Sequence, residues 1–134
     1  MSWDKIIGQP RAKNILQRAI IEQRISSAYL FHGVEGIGKS ALALEFAKAV
    51  NCASPIVSGG GYEACDACPS CRSANSMQSP NISLIFALPA GKAASAKGDS
   101  AMAALSDDQI EEVQEQLRLK SEDPYHQIAV PGAS

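Results

Sequence analysis

A chain of 134 residues has room for one modest domain, with 46% hydrophobic residues to build a core and only 5% aromatic. A formal charge of -2 and a pI near 5.6 argue against a protein whose whole surface binds nucleic acid, although a local basic patch would not show in the sum. No apolar run reaches the roughly eighteen residues of a membrane helix, and MSWDKIIGQ lacks a basic segment followed by an apolar one. Neither a membrane nor secretion is expected, and the chain is placed in the cytoplasm.

Trp3, Ile6 and Ile7 precede Gly8, and Pro10 stands where the first turn of a helix accepts it. Ala12, Ile15, Leu16, Ala19 and Ile20 then recur at three- and four-residue steps, which predicts a helix with one face on the core. Arg11, Lys13, Gln17 and Arg18 fall on its solvated faces. After a polar turn at Ser26 and Ser27, AYLFH (28–32) is an apolar run of strand length that leads into Gly33 to Ser40, GVEGIGKS.

That stretch satisfies Gly-x-x-x-x-Gly-Lys-Ser in full. The glycines let backbone N–H groups turn toward phosphate oxygens, Lys39 supplies a cation for the β- and γ-phosphates, and Ser40 offers a Mg²⁺ ligand. Behind it, ALALEFAKAV (41–50) has helical spacing, with Leu42, Phe46 and Val50 on one stripe and Ala43 and Ala47 beside it. Strand, loop, helix is the order a phosphate loop requires, and the positive end of the helix dipole then faces the anion. A glycine turn that matches by accident is the competing reading, and this context weighs against it.

Cys52, Cys65, Cys68 and Cys71 are all the cysteines, and the last three read Cys-x-x-Cys-x-x-Cys. Four thiolates can close a tetrahedral site. Two disulfides, an iron–sulfur cluster, plain redox cysteines and chance clustering are rivals, but a reducing compartment and the overlapping short spacings favour Zn²⁺. PIVSGGG (55–61) is turn-rich and expected to be mobile, so residues 52–71 read as an insertion held by its metal.

NISLIFAL (81–88) has the look of a second buried strand. The composition then shifts to Ala, Gly, Ser and Lys, predicting a flexible surface loop over 89–105. Ser106 and Gln109 fit a capping box, with Ile110, Val113 and Leu117 as a narrow apolar stripe. Glu111, Glu112, Glu115, Gln116, Arg118 and Lys120 stand opposite on a mostly exposed helix that Asp123 and Pro124 stop. PYHQIAV (124–130) suggests one more short strand. His32 and His126 lack ligand spacing and read as ordinary residues.

Taken together, WDKIIGQPRAKNILQRAI, RISSAYLFHGVEGIGKSALALEFAKAVNC and the cysteine knuckle resemble the N-terminal part of the bacterial DNA polymerase III clamp-loader subunits, within the AAA+ ATPases. The resemblance spans about residues 3 to 88. IIGQ, AYLFHGVEGIGKS and LIFALP are closer to the delta prime type than to gamma/tau. The resemblance implies an α/β fold: a P-loop AAA+ parallel sheet, incomplete over 1–134, with a four-cysteine zinc module inserted at 52–71.

By resemblance, Ile6, Ile7 and Gly8 lie along the adenine of ATP, and Gly33, Val34, Glu35, Gly36, Ile37, Gly38, Lys39 and Ser40 form the phosphate loop, with Ser40 on Mg²⁺. Cys52, Cys65, Cys68 and Cys71 match the family's zinc module, with a longer first gap. The family's Asp-Glu Walker B strand, sensors and arginine finger have no counterpart here, so no catalytic residue is assigned and ATP binding without hydrolysis is expected. Implied partners are other clamp-loader subunits in a hetero-oligomer and, through them, the sliding clamp and primed DNA. A non-hydrolysing scaffold subunit of the same complex, the gamma/tau subunit and an unrelated P-loop kinase are the alternatives.

Overall fold

The computed structural model describes residues 2–88 and 105–130. The chain divides into two compact units, one ending at Ser83 and the other beginning at Leu84. Most of the loop expected over 89–105 lies outside the described residues.

In the first unit a 3-10 turn, Trp3–Lys5, delivers Trp3 and Ile6 to the core. Gly8 and Gln9 take positive φ, 70° and 56°, and Pro10 then opens helix α1, Pro10–Ile21. Proline suits this position because the N–H it lacks has no acceptor inside the helix. Leu16 and Ile20 are buried and Ala12 and Ala19 half-buried, whereas Ile15, expected on that face, is exposed. The helix closes in a Schellman arrangement around Gln23, φ 53°: Gln23 donates to the Ile20 carbonyl at 3.0 Å and Arg24 to that of Ala19 at 2.8 Å.

Helix α2, Lys39–Val50, strands β1, Ile56–Ser58, and β2, Gly61–Glu63, and helix α3, Pro69–Asn75, complete this unit. Helix α2 packs on both α1 and α3, and α1 packs on β2. The core gathers Trp3, Ile6, Leu16, Ile20, Ala41, Leu42, Phe46, Ala49, Ala64 and Cys71. Burying a leucine or phenylalanine contributes about 1.5–3 kcal/mol, so Leu42 and Phe46 are major members. Tyr29 meets Phe46 edge to face, with ring centroids 5.1 Å apart. The buried face of α2 includes Ala41, Leu42, Glu45, Phe46, Lys48 and Ala49, while Val50, expected on the inner stripe, is exposed.

The sheet differs from the expected one. Its two described strands are antiparallel, with Ile56 opposite Glu63, Val57 opposite Tyr62 and Ser58 opposite Gly61. Gly59 and Gly60, φ 58° and 82°, make the two-residue turn, the φ signs that the right-handed strand twist prefers. The stretch read as a mobile turn is thus a hairpin. None of 28–32, 81–88 and 124–130 forms a strand. Residues 28–32 keep strand alternation, with Tyr29 and Phe31 against the core and Leu30 93% exposed. A parallel ladder needs a neighbour beside each strand, and apolar period reports burial, not the neighbour.

The second unit contains helix α4, Asp107–Glu122, which opens with the Ser106–Gln109 capping box; Gln109 Oε1 accepts from the Ser106 N–H at 3.0 Å. Val113 is buried and Ile110 and Leu117 half-buried. Lys120, assigned to the exposed face, is instead 2% exposed and donates to the carbonyls of Pro124 and His126, both at 2.7 Å. It ties the chain after Asp123 back onto the helix. No helix among the described residues is long and apolar enough to cross a membrane.

Candidate functional site

The phosphate-loop sequence occupies the turn into α2. Gly36 has φ 77°, and Gly38, the N-cap of α2, has φ 95°, a region costly for any residue with a Cβ. A Cβ at Gly36 would meet nothing within 4 Å, so backbone conformation, not space, requires glycine there. The Leu42 N–H closes on the Gly38 carbonyl at 2.9 Å. The N–H groups before it have no acceptor within the helix and belong to its positive end.

Lys39 folds its ammonium onto the beginning of the same loop, donating to the carbonyls of Gly33 at 2.9 Å and Val34 at 2.8 Å. Val34, Glu35, Gly36 and Ile37 are exposed, and Ser40 is exposed on the first turn of α2. The loop is thus open to solvent with a cation held at it, which suits an anionic ligand. The IIGQ segment splits in two. Ile6 is buried in one cluster with Ala41 and Leu42, and its carbonyl accepts from the Lys13 ammonium, while Ile7 and Gly8 are exposed.

All four cysteines are free, and their sulfurs lie within 4.8 Å of one another. Cys52 Sγ and Cys65 Sγ are 3.6 Å apart, too far for a disulfide. Four sulfurs each about 2.3 Å from one ion would be about 3.8 Å apart, so the donor set fits a single tetrahedral cation and leaves no room for a multi-iron cluster. Backbone N–H groups of Cys65, Cys68 and Cys71 point at the sulfurs of Cys52, Cys65 and Cys68 at 3.3, 3.3 and 3.4 Å.

Such bonds favour thiolate. Backbone donors at Ala53 and Cys71 pull Cys68 down to about 6, and those at Ala67 and Cys68 lower Cys65. Burial raises the Cys71 thiol. A bound divalent cation reverses that cost by binding the thiolate directly.

A charged cluster that the sequence reading did not single out joins this centre to α2. Lys48 Nζ is 2.6 Å from Asp66 Oδ1, 3.0 Å from Glu45 Oε2 and 3.4 Å from Asn75 Oδ1, and Asn75 donates to Asp66 at 3.1 Å. Glu45 and Lys48 are 1% and 2% exposed. Burial pushes the Glu45 carboxyl up despite Lys48. Burial also opposes the Lys48 ammonium, but the Asp66 hydrogen bond and Glu45 outweigh it and hold Lys48 above its ordinary value. Asp66, against its own burial, is held low by Lys48 and Asn75. Lys48 thus faces two acids, Glu45 on its own helix and Asp66 in the knuckle. The available signal was Glu45 at the three- and four-residue spacing of Leu42, Ala41 and Ala49.

Comparison with known proteins gives the geometry a family. The profile described as "DNA polymerase III, delta subunit" matches residues 8–130. The chain is 44% identical over 50 residues to DNA polymerase III subunit tau of Bacillus subtilis (strain 168), covering 37% of this chain and 9% of that one. It is 38% identical over 86 residues to DNA polymerase III subunit delta' of the same organism, covering 63% of this chain and 25% of the relative. It is 43% identical over 53 residues to Protein STICHEL-like 2 of Arabidopsis thaliana, 40% of this chain and 6% of that protein. No solved structure matches the chain. The chain thus spans a quarter or less of these relatives. With the family profile covering nearly all of its length, the chain belongs to the DNA polymerase III delta-subunit family of clamp-loader subunits.

Proposed function

We propose that this chain is the ATP-binding portion of a clamp-loader subunit of the delta prime type. The observation that carries the reading is the Gly33–Ser40 loop, with Gly36 and Gly38 at positive φ and Lys39 folded onto it, at the start of α2. The loop amides and Lys39 bind the phosphates, Ser40 takes a coordination position on Mg²⁺, and exposed Ile7 and Gly8, anchored by Ile6, lie along the adenine. Cys52, Cys65, Cys68 and Cys71 hold one Zn²⁺. With all four positions filled by thiolate, the ion is structural.

Within this reading residues 28–32, which keep the alternation of a strand but pair with none among the described residues, belong to a parallel AAA+ sheet. Nucleotide acts as a switch in a hetero-oligomer that places a sliding clamp on primed DNA in the cytoplasm. The proposal is one of binding; hydrolysis would need a second acidic Mg²⁺ ligand and a group to orient water. A reconstituted clamp loader carrying the whole subunit tests the role. Lys39→Ala should impair loading, and unchanged loading would contradict a nucleotide switch and favour a scaffold.

A further inference from the structure

Helix α2 carries the phosphate loop at one end and the cysteine centre toward the other. Lys48 lies about 14 Å along the helix from Lys39 at 1.5 Å per residue. Its side chain is 2% exposed and leaves the helix toward Asp66, the residue between Cys65 and the second half of its knuckle. Asp66 takes φ 53°, which turns the knuckle. Its backbone is bonded directly to Cys65, while its carboxylate takes the Lys48 ammonium and the Asn75 amide from α3. One residue thus touches a metal ligand through its backbone and the phosphate-loop helix through its side chain. Cys71 reinforces the join, since it lies in one core cluster with Ala41, Leu42, Phe46 and Ala49.

We propose that Lys48 and Asp66 are positioning residues that couple the two sites. A cation in the four-cysteine centre fixes the knuckle, the knuckle fixes Asp66, and Asp66 holds α2 in the place where its first turn meets the phosphates. This deepens the reading above and rests on it. Lys48 is buried but the Asp66 side chain is 37% exposed, and desolvation of the ammonium offsets part of the attraction, so the role assigned to the pair is to select one arrangement and not to add net stability. Glu45 adds a second acid 3.0 Å from Lys48 Nζ, on the same helix.

Coupling between two sites is reciprocal and is typically a factor of about 5 to 150 in affinity. The test uses the full chain and measures zinc affinity by competition with a chromophoric chelator, with and without saturating Mg·ATP. The unsubstituted chain should bind zinc about fivefold or more tightly with nucleotide present. Asp66→Asn, which keeps shape and removes charge, should still bind both ligands but bring that ratio to about 1.

Asp66→Glu, which restores a carboxylate, should recover part of the ratio. A residue that only supported the fold would lower both affinities and leave the ratio unchanged. Should Asp66→Asn fold poorly, Asn75→Ala, which removes only the neighbouring amide, should reduce the ratio without abolishing it. A ratio of about 1 in the unsubstituted chain, or the full ratio in both Asp66→Asn and Asn75→Ala, overturns the coupling while leaving both sites standing. Failure of the unsubstituted chain to take up zinc or ATP removes the underlying reading, and the coupling with it.

Discussion

Cys52 Sγ lies 3.6 Å from Cys65 Sγ although the two residues are thirteen positions apart. The hairpin of β1 and β2 closes that gap, and Cys65 returns a backbone N–H to the Cys52 sulfur at 3.3 Å. Elemental analysis of protein prepared under reducing conditions should therefore find one zinc per chain. Cys71→Ser should lose the ion and lower the melting temperature by roughly 10 °C or more, since binding to a structural site is folding free energy. Metal-free protein with an unchanged melting temperature would remove the centre.

Gly38 is the N-cap of α2 with φ 95°, so Gly38→Ala should cost about 1–2 kcal/mol in urea unfolding. Gly36→Ala, at φ 77° with open space around it, should cost a similar amount by strain alone. An equal or more stable Gly38→Ala protein would show that the loop does not take this conformation.

Lys120 gives a pH prediction. Burial holds its ammonium below the ordinary lysine value of 10.5, so at pH values between the folded value and 10.5 the unfolded chain binds more protons than the folded one. Stability therefore gains a contribution as pH rises through that window, and the burial cost is fully present below it. Comparing unfolding of the unsubstituted chain with Lys120→Met should show this extra upward slope only with lysine present. Lys120→Ala should cost about 1–3 kcal/mol, because the carbonyls of Pro124 and His126 lose their donor.

The capping box at the start of α4 predicts that Ser106→Ala costs about 1 kcal/mol, by circular dichroism melting. Retained stability in that variant would mean that packing of Val113 alone holds the helix.

What could be read from residues alone was what lies close along the chain. The Gly33–Ser40 loop, the Cys-x-x-Cys-x-x-Cys run and the Ser106–Gln109 box are set by spacings of a few residues, and each local geometry follows from them. Lys48 and Lys120 were hidden because a lysine in a helix ordinarily reads as solvated. Their partners, Asp66 at eighteen positions and the carbonyls beyond the end of α4, are chosen by tertiary folding. The hairpin at 56–63 is not legible from composition, because a Gly-rich run suits a loose loop equally well and only the positive φ of Gly59 and Gly60 marks a tight turn. For 28–32 the alternation of Tyr29, Leu30 and Phe31 was visible, but no local pattern states which strand lies alongside.

On the proposed function, Gly33–Ser40 binds ATP through Lys39. Titration of a fluorescent ATP analogue with Mg²⁺ into the zinc-loaded chain, with Lys39→Ala alongside, tests it directly. Removing the ammonium should weaken binding by roughly tenfold or more, the effect of losing a charge-assisted contact of about 1.5–3 kcal/mol. Equal affinity in the two proteins, or no binding to the unsubstituted chain, would contradict the assigned pocket.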